Sequence, residues 1–396
     1  ERCMGKVVVF APHFLPGYKA GGPIKSLANL FLCLGVDHTF KLLTSDRDLG
    51  DLVRYDFLND NSSGDWRCVG NIEVRYLNAE NLKRASRIFL SLRGECPDII
   101  YLNSFFSPAF SIFPLLCTFF RLVPRAPVLI APRGELSSEA LSIKARKKKV
   151  YMFVSRILAL HKNVFWHASS EFEAKDIATN FGAPMERIFV ASDLPTAPSL
   201  PVPEKSGNVS DDVFRICFLS RISEIKNLDY CLDVLRAVTA PVCFNIYGPV
   251  EDVEFLRKCQ EKASSLRSNI QVHFMGPVFP QDVARIISEH DLFFLPSKSE
   301  NYAHVIAEAL SVGTEVLISD RTPWRGLDQR GLGRDFALEE PTRFSEFIEK
   351  RSRMSGAERQ KLRSGIVHAY FQEWESSEDI QKNRKMFLQV IGRQRQ

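Results

Sequence analysis

The chain has 396 residues and a mass of 45.0 kDa, with 45% hydrophobic and 25% charged side chains. This balance excludes a disordered or fibrous chain, and the length predicts two compact domains. The net charge of +5 is unevenly distributed. Basic and acidic residues number 25 and 19 in residues 1–200, but 27 and 28 in residues 201–396.

The nine cysteines form no CxxC pair and no metal-ligand spacing. We therefore expect neither a disulfide framework nor a zinc site. We also expect the protein to reside in a reducing compartment. No run reaches the roughly 18 to 20 apolar residues of a spanning helix, and the opening run Lys6–Pro12 is strand-like rather than signal-like. We expect a cytoplasmic protein that is neither secreted nor membrane-spanning.

Short apolar and β-branched runs alternate with helix-length segments through the first half, which predicts a doubly wound, parallel α/β domain over residues 1–193. A proline-rich stretch then predicts a linker over residues 194–212. The strand-like runs are Lys6–Pro12, Phe40–Ser45, Ile72–Leu77, Asp98–Asn103, Pro127–Pro132, Val164–Ala168 and Arg187–Ala191.

The alternation restarts after the linker and predicts a second doubly wound domain over residues 213–375. A last helix in residues 376–396 is expected to return to the first domain. Two such domains are expected to face each other across a ligand-binding cleft at the C-terminal ends of their strands. The second set of runs is Phe214–Leu219, Val242–Tyr247, Ile270–Phe274, Leu292–Leu295 and Glu315–Ser319.

Two glutamates follow the run that ends at Leu295. Glu300 lies in a polar turn, and Glu308 lies one to two turns inside the next predicted helix. Carboxylates in these places can hold two hydroxyl-bearing parts of one ligand, while free helix N–H groups receive its phosphate. The alternative is a solvated helix with two ordinary surface glutamates.

Two cations follow the first strand of the second domain. Arg221 and Lys226 lie just beyond its C-terminal end, where they can clamp a diphosphate, and the alternative is a solvated basic pair. Gly248 and Gly276 end two further strands in tight turns at the same edge. In the first domain, Gly21 and Gly22 precede a helix, where they provide either close backbone approach to a phosphate or a simple structural turn.

These motifs together resemble glycosyltransferase family 4, whose members are retaining enzymes of GT-B fold. Their order and spacing agree over about 100 residues of the second half, and the opening motif extends the resemblance to nearly the whole chain. The motifs are Pro12–Pro23, Ser220–Asn227, Tyr247–Gly248, Phe274–Gly276, and Glu300 with Glu308.

The resemblance implies that Arg221 and Lys226 bind the donor diphosphate, Glu300 the transferred sugar and Glu308 the nucleotide ribose. It also implies that backbone groups of three residues line the sugar-phosphate pocket. Two of them replace glycines of the family's usual Gly-Phe-Gly, which is a departure. These residues are Asn301, Tyr302 and Ala303.

A second departure is Arg133, which stands where many family members have a histidine near the transferred sugar. Arginine is no general base near neutral pH, but it can stabilise a departing phosphate. In retaining enzymes of this family the leaving diphosphate accepts the acceptor's proton, so no protein nucleophile is required.

Asp46 and Asp48 form a DxD motif after a predicted strand, and DxD binds metal in the other large glycosyltransferase fold. We interpret them instead as a polar loop at the acceptor side, and we expect activity without divalent metal. His13, His167 and His304 have no recognisable catalytic partner. Of these, His13 is the best cleft candidate, because it follows a strand end.

Ten basic residues stand against two acidic ones between Arg121 and Lys162. Met152, Phe153, Ile157 and Leu160 lie among them on a predicted helix, which suggests docking on an anionic membrane surface. The equally open alternative is that the apolar residues pack in the core and the lysines are solvated. Nucleic-acid binding is less favoured, because no recognised binding module accompanies the basic run.

The expected function is transfer of a sugar, with retention, from a UDP- or GDP-sugar to a saccharide acceptor, without a further cofactor. We expect the acceptor to be lipid-linked and the pathway to build a bacterial surface polysaccharide, such as O-antigen, capsule or exopolysaccharide, at the cytoplasmic face of the inner membrane. The alternatives are a GT-B nucleotide-sugar epimerase, a phosphorylase that uses inorganic phosphate or pyridoxal phosphate, and a non-catalytic nucleotide-sugar-binding protein.

Overall fold

The computed structural model describes residues 5–58, 65–78, 90, 92–142, 145–198, 213–300 and 302–393. The chain divides into two compact units. The first comprises Glu1–Leu194 and Ser377–Gln396, and the second comprises Pro195–Ser376. Because the chain leaves the first unit and later returns to it, the first unit is built from two separate segments. Among the described residues, no helix combines the length and the apolar character needed to cross a bilayer.

An eight-stranded sheet forms the centre of the first unit, in the order β3-β4-β2-β1-β5-β6-β7-β8. All neighbours pair in parallel except β3, which runs antiparallel to β4. The central strands are continuous apolar runs because helices cover both faces of the sheet. The strands are β1 Gly5–Phe10, β2 His38–Ser45, β3 Arg67–Val69, β4 Ile72–Leu77, β5 Ile99–Leu102, β6 Val128–Ile130, β7 Phe165–Ala168 and β8 Ile188–Val190.

The C-terminal helix Glu378–Gly392 packs on the first unit. Arg384 Nε donates to Asp37 at 2.6 Å, and the buried Phe387 ring lies against His38 and Phe40. Further α-helices in the described part of the unit include Gly22–Leu34, Phe113–Phe119, Ser138–Ser142, Ala145–Ile157 and Glu171–Asp176, with π-helical turns at Pro108–Ile112 and Ile177–Phe181 and 3-10 turns at Asp56–Leu58 and Met185–Arg187.

The second unit has a six-stranded, fully parallel sheet in the order β11-β10-β9-β12-β13-β14. Its strands are β9 Phe214–Leu219, β10 Val242–Tyr247, β11 Ile270–Gly276, β12 Leu292–Leu295, β13 Glu315–Ser319 and β14 Gly333–Phe336. Its helices are Leu228–Leu235, Val253–Ser264, Pro280–Ser288, His304–Ser311, Pro341–Ser352 and Gly356–Glu375, with a 3-10 turn at Glu224–Lys226.

The strand order of the second sheet reverses between β9 and β12. After β9 the chain adds β10 and β11 on one side, and from β12 onward it adds strands on the other side. Loops that leave β9 and β12 therefore begin next to each other and diverge, which creates a crevice at the C-terminal edge of the sheet. Ligands of open α/β sheets bind at such a reversal.

The expected α/β organisation with two doubly wound sheets is confirmed. Every predicted strand is present, and among the strands of the described residues β3 and β14 were not predicted. β3 is three residues long and lies at an edge, while β14 reads Gly-Arg-Asp-Phe, which has no apolar run. Edge strands need little apolar surface, because one side has no neighbouring strand and their faces are less covered.

Candidate functional site

The loops that follow β9 and β12 are tied together at the strand-order reversal. Asn227 Nδ2 donates to the carbonyl of Pro296 at 2.9 Å, and the backbone N–H of Lys298 donates to the carbonyl of Ile225 at 2.8 Å. Asn227 has a φ of 62°, a left-handed conformation that asparagine tolerates. The sequence motifs after both strands are thereby held in one crevice.

Lys226 and Glu300 form an ion pair in this crevice. Lys226 Nζ lies 2.6 Å from Glu300 Oε1, and the two side chains are only 13% and 9% exposed. The hydroxyl of Ser297 donates to the same oxygen at 2.7 Å. A buried ammonium next to a buried carboxylate can exchange its partner for a phosphate oxygen and leave the carboxylate to accept a hydroxyl proton.

Glu308 is buried in the helix His304–Ser311. The alternative of two ordinary surface glutamates is therefore wrong, since neither Glu300 nor Glu308 lies on the solvated face of a helix. Burial of a carboxylate is costly unless polar groups surround it, so the choice of residue at position 308 is constrained.

Arg221 differs from Lys226 in its surroundings. Its side chain is 57% exposed and pairs with Glu251 at 2.6 Å. The solvated alternative thus describes Arg221 but not Lys226. Both cations follow the C-terminal end of β9, and Arg221 lies at the rim while Lys226 lies inside.

The turn after β10 approaches β9 so closely that only glycine fits. Gly248 has a φ of 142°, and a Cβ there would lie 1.8 Å from the carbonyl oxygen of Ser220. The N–H of Gly248 donates to the carbonyl of Gly276 at 2.8 Å, which places the two glycine turns side by side. Gly248 lets the strand-end turns pack at the same edge as the ion pair.

The residue before the helix His304–Ser311 keeps a glycine-like conformation although it is not glycine. Ala303 has a φ of 61° and a ψ of 65°. The indole Nε1 of Trp324 donates to the preceding carbonyl, that of Tyr302, at 2.7 Å. Asn301 lies outside the described residues.

Three residues of this site, Asn227, Ser297 and Trp324, were not predicted as site residues. Each lies in a loop that follows a strand of the second sheet. The sequence offered one indication of their role, namely that each follows the end of a strand. This indication alone does not distinguish a site residue from any other loop residue.

In the first unit, Gly21 and Gly22 form the entry to the helix Gly22–Leu34. Gly21 has a φ of 65°, and its N–H donates to the carbonyl of Tyr18 at 2.9 Å. The turn before the helix therefore requires a residue that tolerates the left-handed region. A Cβ at Gly22 would meet no atom within 4 Å, so space does not require glycine there.

The two carboxylates of the DxD motif are buried and bonded within the first unit. Asp46 pairs with Arg47 and Arg54, each at 3.0 Å. Asp48 Oδ2 accepts the backbone N–H groups of Tyr18 and Lys19 at 2.8 and 3.1 Å. Asp48 thus holds the loop that leads to Gly21. The described residues contain no group of three or more histidine, cysteine or carboxylate side chains suited to a metal.

Burial lowers the pKa of His13, and this effect outweighs the nearby Asp48 carboxylate, which raises it. A neutral imidazole is the form that accepts a proton. The lowered pKa favours the neutral form of His13, which can accept a proton. Its location in the acceptor region stays a prediction.

Arg133 follows β6, and its side chain is only 8% exposed. Its guanidinium donates to Asp193 at 2.5 Å, to Asn103 at 2.7 Å and to the Tyr101 hydroxyl at 3.0 Å. Tyr101 in turn bonds His167, whose pKa burial lowers to about 4. His167 is therefore a neutral structural residue. Three of the five guanidinium N–H donors of Arg133 are thus engaged by residues of the first unit, which orients its side chain.

The basic segment exposes part of its apolar side chains and buries the rest. Met152 and Leu160 lie in the core, while Phe153 and Ile157 are each 66% exposed. Lys148 is not a free surface charge, since its Nζ donates to the carbonyl of Ala140 at 2.6 Å. The core-packing alternative therefore holds for only part of this helix. Apolar side chains of this segment that are more than half exposed are Leu122, Val150, Phe153, Ile157 and Leu158, and Phe120 directly before it is exposed as well.

Residues 213–350, most of the second unit, match the family model described as "Glycosyl transferases group 1". A Klebsiella pneumoniae protein described as "Uncharacterized 41.2 kDa protein in cps region" is 27% identical over 254 residues. That alignment covers 61% of this chain and 66% of the relative, so the chain spans just under two thirds of it.

Solved structures match the chain over nearly its whole length. Anabaena Alr3699/HepE in complex with UDP and glucose has a TM-score of 0.62 at 14% identity, covering 98% of this chain and 99% of that one. WaaG, a glycosyltransferase involved in lipopolysaccharide biosynthesis, has a TM-score of 0.55 at 14% identity, covering 97% and 99%. The fold is GT-B, and the resemblance to glycosyltransferases is confirmed.

Proposed function

We propose that the protein is a retaining glycosyltransferase of family 4, which transfers a sugar from a nucleotide-diphosphate donor to a saccharide acceptor. The observation that carries this proposal is the Lys226–Glu300 pair at the strand-order reversal of the unit that matches the group 1 glycosyltransferase model. A buried cation and a buried carboxylate in contact suit a ligand with adjoining anionic and hydroxyl-bearing parts.

In the proposed reaction, Lys226 binds the donor diphosphate and releases Glu300 to accept a hydroxyl of the transferred sugar. Glu308 holds the nucleotide ribose, and Arg221 leaves Glu251 at the rim to join the diphosphate. We also assign the backbone of Gly21 and Gly22 to binding of the donor phosphates, and residues 1–193 to binding of the acceptor.

The chemistry needs no protein nucleophile. The bond between the anomeric carbon and the diphosphate oxygen breaks, and the acceptor oxygen attacks on the same face. The leaving diphosphate takes the acceptor's proton. The protein positions the reactants and stabilises the developing negative charge, for which Lys226, Arg221 and Arg133 are the proposed groups.

We propose that this reaction needs no divalent metal and no further cofactor. The carboxylates of Asp46 and Asp48 hold neighbouring arginines and backbone N–H groups, which gives them a structural use. The cationic side chains of the second unit can neutralise a leaving diphosphate directly.

A UDP-sugar is the first donor to test, because the structurally similar Anabaena protein was solved with UDP and with UDP-glucose. For the acceptor we propose a lipid-linked saccharide of a bacterial surface polysaccharide. The Klebsiella relative from a cps region and the likeness to WaaG support this pathway, which would operate at the cytoplasmic face of the inner membrane.

A thermal-shift panel of UDP, GDP, TDP and CDP, each with and without EDTA, tests the donor site. A ligand that binds the folded state raises its unfolding temperature. We expect one nucleotide to stabilise the wild type regardless of EDTA and to lose most of this effect in Glu308→Gln. Stabilisation by no nucleotide, or only without EDTA, would contradict the proposal and return attention to Asp46 and Asp48.

Turnover assays with the matching nucleotide-sugar separate transfer from the alternatives. Conversion of the donor without an acceptor would indicate an epimerase, and a requirement for inorganic phosphate or pyridoxal phosphate would indicate a phosphorylase. Binding without consumption, against a panel of lipid-linked and free saccharides, would indicate a non-catalytic binding protein. Retention follows from the anomeric configuration of the product, read by NMR.

We also propose that residues 121–162 dock on an anionic membrane. The helix Ala145–Ile157 presents exposed Phe153 and Ile157 together with Lys147 and Lys149, which is the composition of an interfacial helix. The basic charge suits anionic headgroups, and the docked surface would bring the first unit to a lipid-linked acceptor.

Co-sedimentation with phosphatidylcholine vesicles, with and without phosphatidylglycerol, tests the docking. The double variant Phe153→Ser/Ile157→Ser should lose binding to both vesicle types, and Lys147→Gln/Lys149→Gln should lose the preference for phosphatidylglycerol. Leu388→Ser removes an apolar side chain that is also more than half exposed, but from another helix, and this variant should bind normally. Unchanged sedimentation of both double variants would rule the surface out.

A further inference from the structure

Trp324 lies in the loop after β13, the strand next to β12. Its indole Nε1 donates to the backbone carbonyl of Tyr302 at 2.7 Å, and its ring meets the Tyr302 ring edge-on at 5.8 Å between centroids. Trp324 is buried and 22 residues away from Tyr302 in the chain. A separate loop of the second unit thus holds the backbone that immediately precedes the helix His304–Ser311.

This hydrogen bond sets the orientation of one peptide group. The carbonyl of Tyr302 and the N–H of Ala303 belong to the same planar trans peptide and point in opposite directions. Because the carbonyl points at the indole, the N–H of Ala303 points away from it. The bond therefore decides where that N–H, and the helix entry after it, can meet a ligand.

The conformation of Ala303 needs such a restraint. Its φ of 61° and ψ of 65° lie in the left-handed region, which residues with a Cβ rarely adopt. A backbone held in an unfavourable region persists only where its surroundings impose it. The Trp324 hydrogen bond is one such contact, and it acts on the peptide directly before the strained residue.

Trp324 is itself held on several sides. Its backbone N–H donates to the Thr322 hydroxyl at 3.2 Å, and the Arg330 guanidinium lies 5.8 Å from the centre of its ring. Arg330 is fixed by two hydrogen bonds to Glu373, at 2.8 and 2.5 Å. The indole is therefore a rigid donor rather than a mobile one.

We infer that Trp324 is a positioning residue for the donor's diphosphate and sugar. By holding the Tyr302 carbonyl, it aims the N–H of Ala303, at the entry to the helix His304–Ser311, at the donor. It touches no reacting atom in this scheme. The inference rests on the proposed function, because it assigns a purpose to the same crevice that holds Lys226 and Glu300.

The variant Trp324→Phe keeps an aromatic ring and removes the indole N–H. Trp374→Phe is the matched control in the same unit, because the Trp374 indole nitrogen is buried without a hydrogen-bond partner among the described residues. Nucleotide affinity is measured by titration calorimetry with UDP and, in parallel, with GDP, TDP and CDP. The affinity of Trp324→Phe should be about three- to tenfold weaker than that of wild type, and the affinity of the control should be unchanged.

Two further measurements separate positioning from mere stability. The KM for the nucleotide-sugar should rise by the same factor while kcat changes less, since the N–H groups contact the donor before and during transfer. Amide hydrogen exchange should accelerate at residues 303–305 in Trp324→Phe and not in Trp374→Phe.

Several results would overturn the inference. Equal nucleotide affinity and KM in Trp324→Phe and wild type, with normal exchange at residues 303–305, would show that the hydrogen bond positions nothing. A lower unfolding temperature with unchanged affinity would make Trp324 structural only. If wild type binds none of the four nucleotides, the proposed function fails and this inference fails with it, whereas nucleotide binding that is insensitive to Trp324→Phe refutes the inference alone.

Discussion

Lys226 and Glu300 are 74 residues apart in the chain and in direct contact in the folded protein. Without a ligand each neutralises the other, which avoids the large penalty of an unpaired buried charge. A donor diphosphate would compete with Glu300 for the ammonium. The pair therefore couples binding of the diphosphate to release of the carboxylate that we assign to the sugar.

Glu300→Gln tests this coupling. The variant leaves the Lys226 charge buried with a neutral partner, so the free energy of unfolding should fall by about 1 to 3 kcal/mol. The stabilisation by nucleotide should grow, because the diphosphate no longer competes with a carboxylate, while sugar transfer should fall about 100-fold or more. Urea unfolding with and without UDP, together with turnover assays, measures all three quantities.

The exposed pair Arg221–Glu251 is the control for this substitution. Glu251→Gln should change the free energy of unfolding by less than about 1 kcal/mol, because solvent screens an exposed pair. Weaker nucleotide stabilisation in Glu300→Gln than in wild type would contradict the competition between carboxylate and diphosphate.

The turns at the ends of β9, β10 and β11 form one packed edge, and Gly248 is its tightest point. In Gly248→Ala the Cβ would lie 1.8 Å from the Ser220 carbonyl oxygen, which is backbone and cannot move aside cheaply. We expect a loss of about 2 to 4 kcal/mol in the free energy of unfolding, together with weaker nucleotide binding.

Gly276→Ala provides the comparison for the same edge. Its φ of 81° is also left-handed, but a Cβ there meets no atom within 4 Å. The free energy of unfolding of Gly276→Ala should therefore fall by only about 1 kcal/mol, the cost of a left-handed conformation for a residue with a Cβ. Equal losses for the two alanine variants in urea unfolding would show that close approach of the strands is not what requires Gly248.

An aromatic cluster in the first unit surrounds a histidine. His161 packs against Phe105, Trp166 and Phe181, and neither ring nitrogen has a hydrogen-bond partner among the described residues. Burial lowers the pKa of His161 to about 4 from 6.5. Protonation inside this cluster is costly, because the charged ring would have no acceptor.

The low pKa makes stability depend on pH in a defined direction. Between pH 6.5 and about 4 the unfolded chain binds a proton at His161 and the folded chain does not. The contribution of neutral His161 to stability is therefore complete above pH 6.5 and is lost as the pH is lowered towards 4. The contribution of His161 over this range is about 3 kcal/mol. His161→Phe should remove this part of the pH dependence in urea unfolding at several pH values.

Phe181→Leu is the control for the same cluster, since it weakens the packing but keeps the histidine. It should lower the free energy of unfolding at every pH and leave the slope of this free energy against pH unchanged. A slope in His161→Phe equal to that of wild type would show that His161 titrates normally in the folded protein.

The division of the chain into two units makes the first unit depend on both ends of the sequence. The helix Glu378–Gly392 contributes buried side chains to a sheet formed by residues 5–190, and Arg384 and Asn383 bond to Asp37 and to the Ser192 carbonyl. The unit is therefore incomplete until the chain has returned from the second unit.

A chain that ends at Ser376 should lose the first unit selectively. Burial of each large apolar side chain is worth about 1.5 to 3 kcal/mol, and the sum over this helix approaches the typical stability of a domain, about 5 to 15 kcal/mol. Limited proteolysis should digest the first unit and spare the second, whereas a chain ending at Arg393 should resist like wild type. Equal resistance of both truncated chains would contradict this dependence.

The strands, the strand-end position of the motifs and the resemblance to glycosyltransferases can all be read from the amino-acid sequence alone. Strands buried on both faces must be continuous apolar runs, and the C-terminal ends of parallel strands must share an edge, so these features are readable along the chain. The edge strands β3 and β14 escaped prediction because they bury too little to need such a run.

Which charges are buried, and what each one contacts, becomes visible only in the folded protein. The sequence presents Arg221 and Lys226 as equivalent cations, but one pairs with Glu251 at the surface and the other with Glu300 inside. Likewise, only the fold brings Trp324 to the Tyr302 carbonyl. The physical reason is that burial and pairing depend on strand order and on loops distant in the chain, which local propensity and periodicity do not encode.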